Sequence, residues 1–147
     1  MQNRVVFVAG AVCCVVGIAG CSSGSADSKQ PPGSLPIRTA QVVVNGQSAI
    51  TTHEIRCTQD GWAHTVEIGD EKSGVKLVVE TGSAITAKSV VITNMGGFNG
   101  HVWEQQIGQA KAEIIGTTFR VSGTAEGATI EDPNHPATAA FDIKANC

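Results

Sequence analysis

The sequence has few aromatic and few charged residues, and this limits what it can bind. It contains no tyrosine, 4% aromatic residues and 16% charged residues, with a formal net charge of −3 at pH 7. A mildly acidic chain offers no basic stripe, so we expect no nucleic-acid partner. The histidines lie far apart without the spacing of a zinc motif, so we expect no metal site. They are His53, His64, His101 and His135.

Catalytic motifs are also missing from the part of the chain that we expect to fold. The glycine-rich stretch 95–100 lacks the lysine and the Ser/Thr of a phosphate-binding loop and is typical of a turn. The acidic stretch 131–134 lacks the spaced oxygen ligands of a calcium loop and indicates an Asp-Pro turn. Residues 70–74 indicate a solvated hairpin tip. We therefore predict a protein that is not an enzyme and holds no cofactor.

One long apolar run is present, and it lies at the N-terminus. Arg4 precedes an uncharged segment at 5–20, which a Ser/Gly-rich stretch follows at once. A membrane-spanning helix needs about 20 apolar residues. This shorter run, with a charge before it and small residues at its end, indicates a cleaved secretion signal.

The last four residues of this region, Ile18-Ala19-Gly20-Cys21, resemble the lipobox of bacterial lipoprotein precursors. The cysteine sulfur takes a diacylglycerol group, and the peptidase that acts next needs small side chains before the cut. We predict cleavage between Gly20 and Cys21 and lipid attachment to Cys21; removal of the first 20 of 147 residues leaves 127. Two or more acyl chains hold a protein far more firmly than one. The alternative is a secreted protein, cut nearby, with Cys21 left free.

A segment rich in serine, glycine and proline follows the lipobox, from residue 22 to about residue 36. It lacks the apolar residues that would offset the entropy of ordering, which predicts a flexible tether at 21–38. Its serines are candidate sugar acceptors. No residue pattern identifies an acceptor, and the chain has no Asn-x-Ser/Thr sequon, so a plain linker is favoured. We place one folded domain at 39–147.

Short β-branched runs between glycine or polar turns dominate the rest of the chain. Apolar and polar residues alternate, so that Trp62 shares a face with Val66, and Val75 with Leu77. This pattern predicts an all-β domain of antiparallel sheets, packed as a sandwich or a partly closed barrel. Segment 103–115 is compatible with a helix or with two strands of a hairpin. The predicted strands are 41–44, 51–57, 62–68, 75–80, 87–95, 101–106, 110–115, 118–125 and 138–147.

The cysteines have separate roles. Two of the five lie in the signal and Cys21 is assigned to lipid, which leaves Cys57 and Cys147. Two remaining cysteines in an exported chain usually pair, and two separate buried thiols are the alternative. Strand alternation puts Cys147 on one face with Ile143, and Cys57 beside Ile55, so both sulfurs should face a core. A bridge across about 90 residues would stabilise the fold by roughly 4 kcal/mol in the chain-entropy model.

A set of short motifs follows in a recognisable order along nearly the whole chain after the signal. Besides the lipobox they are Val42-Val43-Val44-Asn45-Gly46, a strand ending in Cys57-Thr58, Val66-Glu67-Ile68-Gly69, Phe119-Arg120-Val121-Ser122-Gly123-Thr124-Ala125-Glu126-Gly127, and a closing Phe-x-Ile strand ending in Cys147. Together with the two cysteine positions, these motifs make the chain resemble the mycobacterial 19-kilodalton lipoprotein antigen family.

The resemblance implies acylation at Cys21, a bridge between Cys57 and Cys147, and a compact β-rich domain at the cell envelope. Members of this family act as surface antigens, and their acylated N-terminus stimulates innate receptors of the Toll-like type. The tether here lacks the threonine clusters that carry sugars in the best-known member. This departure weakens the expectation of glycosylation and of lectin-mediated adhesion.

The sequence observations predict a non-enzymatic, extracytoplasmic protein that is held at a membrane through lipid on Cys21. The resemblance further implies a surface antigen whose acylated N-terminus engages a host Toll-like receptor. The alternative is a carrier of lipid or of another small ligand. A carrier needs an apolar cavity of roughly several hundred cubic ångströms. The aliphatic residues of this domain are needed for packing, which disfavours a large acyl ligand.

Overall fold

The computed structural model describes residues 30–147 and places ten strands in that range. The all-β prediction is confirmed. None of these residues belongs to a helix long and apolar enough to cross a membrane. The strands are β1 Thr39–Val44, β2 Ile50–Thr52, β3 Ile55–Asp60, β4 Ala63–Gly69, β5 Gly74–Glu80, β6 Thr86–Met95, β7 Phe98–Trp103, β8 Gln109–Ile115, β9 Thr118–Thr129 and β10 Ala137–Asn146.

The strands form one antiparallel sheet that is nearly closed into a barrel, as the sequence indicated. Its order is β2-β1-β10-β9-β7-β6-β5-β4-β3, so successive strands from β3 to β7 pair as hairpins. The long strand β9 pairs with β10 along one side and with β8 and then β7 along the other. Strand β3 lies at the end of this order.

Three predicted elements differ in the structure. The predicted strand 101–106 is β7, which begins earlier, at Phe98, and ends at Trp103, so that 104–106 form a turn. The predicted strand 51–57 is two strands, because β2 pairs with β1 whereas β3 pairs with β4. The chain changes partner at His53-Glu54, where the Gly69 amide donates to the Glu54 carbonyl oxygen at 2.8 Å. Segment 103–115 is neither a helix nor a regular hairpin. A tight turn closes on the Trp103 carbonyl oxygen, and β8 follows as a partner of β9.

Alternating apolar side chains fill the inside of the barrel. Val75, Leu77 and Val79 are buried on β5, as the alternation predicted. The largest fully buried side chain is that of Phe98 at the start of β7. The prediction is wrong for Trp62, which lies in the turn between β3 and β4 and is 67% exposed. A two-residue turn joins Asp60 directly to Ala63, so the alternation ends before the tryptophan.

The turn predicted for the glycine-rich stretch 95–100 is confirmed at 96–97 only, because Met95 ends β6 and residues 98–100 belong to β7. Met95 and Phe98 are paired across a two-residue loop in which Gly96 and Gly97 have φ of +60° and +72°. Two successive positive φ values match the twist of a tight hairpin, and glycine adopts them without a steric penalty. The tip predicted at 70–74 is also a turn, in which the Asp70 carboxylate accepts from the amides of Lys72 and Ser73.

Candidate functional site

Gly20 and Cys21, the predicted cleavage and lipidation residues, lie outside the described residues. The structure does show where the chain that follows them reaches the barrel. Pro31 lies over the β8–β9 turn, where a Cβ built on Gly116 would be 3.2 Å from the proline Cδ. The Ser34 amide donates to the Pro31 carbonyl oxygen at 3.0 Å, which closes a turn. The packed part of the chain therefore begins before residue 39.

Leu35 fastens this N-terminal segment to the barrel with two hydrogen bonds. Its amide donates to Thr118 Oγ1 at 2.8 Å, and its carbonyl oxygen accepts from Asn146 Nδ2 at 2.6 Å. Asn146 is 111 residues away in the sequence, at the end of β10. Both backbone groups of Leu35 are thus satisfied by side chains, which fixes the segment at one end of the barrel.

The N-terminal segment contacts a row of three buried polar residues. Thr39, Asn146 and Thr118 are cross-strand neighbours on β1, β10 and β9, and they are the buried polar side chains within residues 30–147. A buried polar group is costly unless it is hydrogen-bonded. Thr118 and Asn146 bond to Leu35, and Thr39 Oγ1 lies 3.2 Å from His53 Nδ1. We call these three residues the polar row.

The disulfide lies at the same end of the barrel. Cys57 on β3 is bonded to Cys147, the residue that follows β10, with a Cα–Cα distance of 6.0 Å. The predicted bridge is confirmed, but the prediction that both sulfurs face the core is wrong, because both residues are exposed. Cys57 does share a face with the buried Ile55. The nearly closed sheet is open beside β3. The face that carries Ile55 and Cys57 is therefore exposed to solvent near Cys57.

An open cleft of about 500 Å³ lies beside the disulfide. His64 and Phe119 form its side, with ring centroids 5.1 Å apart. His64 Nε2 also lies 3.2 Å from Thr81 Oγ1. The remaining lining residues are Cys57, Thr58, Gln59, Val66, Thr117, Asn146 and Cys147. The bridge consumes both thiols, so hydroxyl, amide and imidazole groups are left to bind a small ligand.

The other predicted residues are scattered over the barrel. His135 lies on the β9–β10 loop with Nδ1 2.7 Å from Asp132 Oδ1, and His53 lies between β2 and β3. Within residues 30–147 no three His, Cys, Asp or Glu side chains gather into a group that would hold a metal ion.

Ion pairs cross the outer face of the sheet in groups of three. Arg120 on β9 bonds to Asp142 on β10 and to Glu113 on β8. These carboxylates, Asp142 first, raise the pKa of the Arg120 guanidinium. In the second group Lys88 lies 2.7 Å from Glu104 Oε2 and 2.9 Å from Glu80 Oε2. Hydrogen bonds to Glu104 and then Glu80 raise the pKa of the Lys88 ammonium.

A third group joins Glu67 on β4 to Lys76 on β5 at 3.0 Å and to Arg56 on β3 at 3.4 Å. The hydrogen bond from Lys76 is the main cause of the lowered pKa of the Glu67 carboxyl. Exposed ion pairs add little stability each. The Arg120 and Glu67 groups each link three adjacent strands, and the Lys88 group joins β5 and β6 to the turn after β7. We infer that these groups fix the register of the sheet.

Sequence reasoning missed the polar row and the contacts of Leu35. In the structure Thr39, Thr118 and Asn146 each stand at the first or last position of a strand, but the predicted strands placed only Thr118 at such a position. Nothing local, however, indicated that the three strand ends lie side by side.

Comparison with known proteins agrees with this architecture. The family model for the Mycobacterium 19 kDa lipoprotein antigen matches residues 33–147. The chain is 39% identical to a "Putative lipoprotein" of Mycobacterium indicus pranii over 148 residues, covering 100% of both chains. It is 30% identical to the "Probable lipoprotein LppE" of Mycobacterium tuberculosis, again over 100% of both. It is 30% identical to the "Lipoprotein LpqH" of Mycobacterium tuberculosis, covering 99% of this chain and 98% of the relative. The chain therefore belongs to the Mycobacterium 19 kDa lipoprotein antigen family.

Proposed function

We propose that this protein is a lipid-anchored, non-enzymatic surface lipoprotein whose β domain is displayed on the outer side of the membrane. The observation that carries the proposal is the position of Cys21. It directly follows the apolar run and two small residues, in a chain whose relatives are named lipoproteins. Cleavage before Cys21 makes it the N-terminal residue, and its sulfur carries the acyl chains as a thioether.

The disulfide supports an extracytoplasmic location. Disulfides persist in oxidising compartments and are rare where glutathione and thioredoxin keep thiols reduced. Cys57 and Cys147 are both exposed, so a reductant would reach the bridge. A cytoplasmic location would leave this bridge open.

The acylated N-terminus is also the part that we propose engages a host receptor of the Toll-like type. The lipid chains and the first residues after Cys21 form the ligand in this proposal, and the barrel carries them. The segment that leads back to Cys21 is hydrogen-bonded to the barrel at Leu35.

Metabolic labelling with a fatty-acid analogue tests the anchor. We expect label in the wild-type protein and in the neighbouring control Ser22→Ala, and none in Cys21→Ala. Label that persists in Cys21→Ala would refute the anchor. Reporter cells that express a Toll-like receptor test the second part, since Cys21→Ala should lose the response while Ser28→Ala, further along the tether, keeps it.

A carrier function is the second candidate, and the cleft beside the disulfide is the observation that favours it. Val66 and Phe119 give this cleft apolar surface, and Gln59 and His64 give it polar groups. Buried aliphatic and aromatic side chains fill the barrel interior, so a large acyl chain has no room inside. Native mass spectrometry of the purified protein tests this function: a stoichiometric small molecule that Phe119→Ala abolishes would favour the carrier.

A further inference from the structure

We propose that one end of the barrel rests on the membrane surface, with the indole of Trp62 in the interfacial layer of the bilayer. The proposal rests on the lipid anchor at Cys21 and adds an orientation of the domain to it. We call this end the anchored rim. It consists of the turns at 61–62, 81–85 and 116–117 together with residues 31–37.

Contacts place these segments at the same end of the barrel. Pro31 lies over Gly116, and Leu35 is bonded to Thr118 at the start of β9. Phe119, the next residue of β9, packs against His64 near the start of β4. The β3–β4 turn immediately before β4 contains Trp62.

The β5–β6 loop adjoins this turn. The Trp62 carbonyl oxygen accepts from the Thr81 amide at 2.8 Å. Trp62 also packs over Gly82, where a built Cβ would be 3.7 Å from its Cγ. The indole is thus held from one side while most of its surface stays open.

The rim exposes apolar side chains. Ile37 is 70% exposed and Trp62 67%, and these are the two most exposed large apolar side chains within residues 30–147. Ile85, in the loop that adjoins Trp62, is 40% exposed. An indole combines an apolar ring with a polar N–H and is enriched where a bilayer meets water. The rim segments 31–37, 61–62, 81–85 and 116–117 contain no charged residue. Asp60 directly precedes the β3–β4 turn, whereas Arg38 lines a cleft with Asp70 near the β4–β5 tip.

The opposite end of the barrel is acidic. The β4–β5 tip has Asp70 and Glu71, and the β9–β10 loop has Glu131 and Asp132. Lys72 is the cation that these two turns contain. Hydrogen bonds join both turns to the β6–β7 hairpin, through Ser73 to Asn94 and through Ile130 to Gly97. An anionic lipid surface repels this end, which leaves the anchored rim to face the bilayer.

The length of the chain between the lipid and the barrel keeps the rim near the bilayer. Ten residue steps separate Cys21 from Pro31, and even a fully extended chain of that length spans at most about 35 Å. A contact between the rim and the bilayer is then an intramolecular event at high effective concentration. Under this condition weak apolar contacts are enough to keep the rim on the membrane surface. The partner of the rim is therefore the bilayer that holds the anchor.

The two tryptophans allow a direct test in the full-length lipidated protein. Trp103→Phe leaves Trp62 as the one reporter, and Trp62→Phe leaves Trp103, which is 51% exposed and pairs with Ser89 along the barrel wall. Both variants are placed in vesicles of phosphatidylcholine and phosphatidylglycerol, with or without brominated acyl chains near the headgroups. We expect bromine to lower Trp62 emission about two-fold and to change Trp103 emission little, because the interfacial ring lies within reach of the quencher.

Matched variants extend this test in the Trp103→Phe background. The double change Ile37→Ser with Ile85→Ser should reduce the quenching of Trp62. Ile130→Ser, which alters a similarly exposed residue at the acidic end, should leave it unchanged. Retention of the disulfide on a non-reducing gel shows that each variant is folded.

Flotation with the vesicles separates the two proposals. A protein that does not float overturns both the anchor and the orientation. If the protein floats and Trp62 is not quenched, only the orientation is overturned. If the emission of Trp62 shifts with the number of protein molecules per vesicle and does not respond to bromine, the rim contacts a second copy of the chain. This result also overturns the orientation.

Discussion

The side-chain amide of Asn146 donates a 2.6 Å hydrogen bond to the carbonyl oxygen of Leu35, so the last strand of the barrel holds the segment that leads back to the proposed anchor. The bond is made at the buried polar row, where water cannot replace it at low cost. The C-terminus of the domain thereby determines where its N-terminal segment leaves the barrel.

Asn146→Ala should release this segment. The change leaves the Leu35 carbonyl oxygen without its partner, which costs about 1–3 kcal/mol of unfolding free energy. Hydrogen exchange at the Leu35 amide should become faster, and urea denaturation should show the loss of stability. Lys144→Ala on the same strand is the control. Unchanged exchange at Leu35 would show that the segment is held by other contacts.

Replacing both Cys57 and Cys147 by serine should lower the unfolding free energy by about 4 kcal/mol, because the bridge closes a loop of 90 residues. Urea denaturation measures this loss, with Thr58→Ala beside the bridge as the control. Thiol titration of the single Cys57→Ser variant should yield one additional reactive thiol. Equal stability of the double variant and the wild type would rule out a stabilising bridge.

Gly127→Ala should destabilise the barrel by about 1–3 kcal/mol, the range for overpacking. A Cβ at this position would overlap the Asn99 carbonyl oxygen on β7, because the two backbones approach closely where β9 passes from β8 to β7. Thermal unfolding measures the effect. Thr124→Ala, at an exposed position of the same strand, is the control. The close approach is incorrect if both variants unfold at the same temperature.

Glu67→Gln should make stability less dependent on pH. The folded-state pKa of Glu67 lies below the ordinary value of 4.5, chiefly through the hydrogen bond from Lys76. A lowered pKa gives stabilisation that is present above 4.5 and is lost as the pH falls through the folded-state pKa. Wild type and Glu67→Gln should therefore differ at pH 7, and the difference should shrink as the pH falls below 4.5 toward 3.

Urea denaturation at these two pH values measures this convergence. The effect is small, because the carboxylate is exposed and solvent screens the pair. Glu71→Gln is the control, since Glu71 forms no salt bridge within residues 30–147. A difference between wild type and Glu67→Gln that is as large at pH 3 as at pH 7 would contradict the assignment.

Much of the barrel could be predicted because its signals are local. The alternation of Val75, Leu77 and Val79 follows from the two-residue period of a strand, and the Gly96-Gly97 turn from the positive φ that glycine tolerates. Interactions of this kind span a few residues. A reader of the sequence alone can therefore recognise them without knowing which strands are neighbours.

The split of the predicted strand 51–57 could not be seen in this way. Its residues keep a β pattern throughout, and the break at His53-Glu54 exists because β2 and β3 pair with different partners. Partner choice depends on how the sheet curls and on which edges meet. The same cause explains Cys57, whose face was predicted correctly but whose burial was not.

The sequence by itself determined the chemistry of this protein: a candidate lipid-bearing Cys21, two cysteines able to pair, and a chain of strands without a recognisable reactive motif. Only the tertiary structure decided where that chemistry lies. It brings Leu35, Asn146 and Thr118 together at one end of the barrel, and it places Trp62 at that end. The physical reason is sequence separation: strand periodicity acts between neighbours, whereas these contacts join residues up to 111 positions apart and form only when the sheet curls.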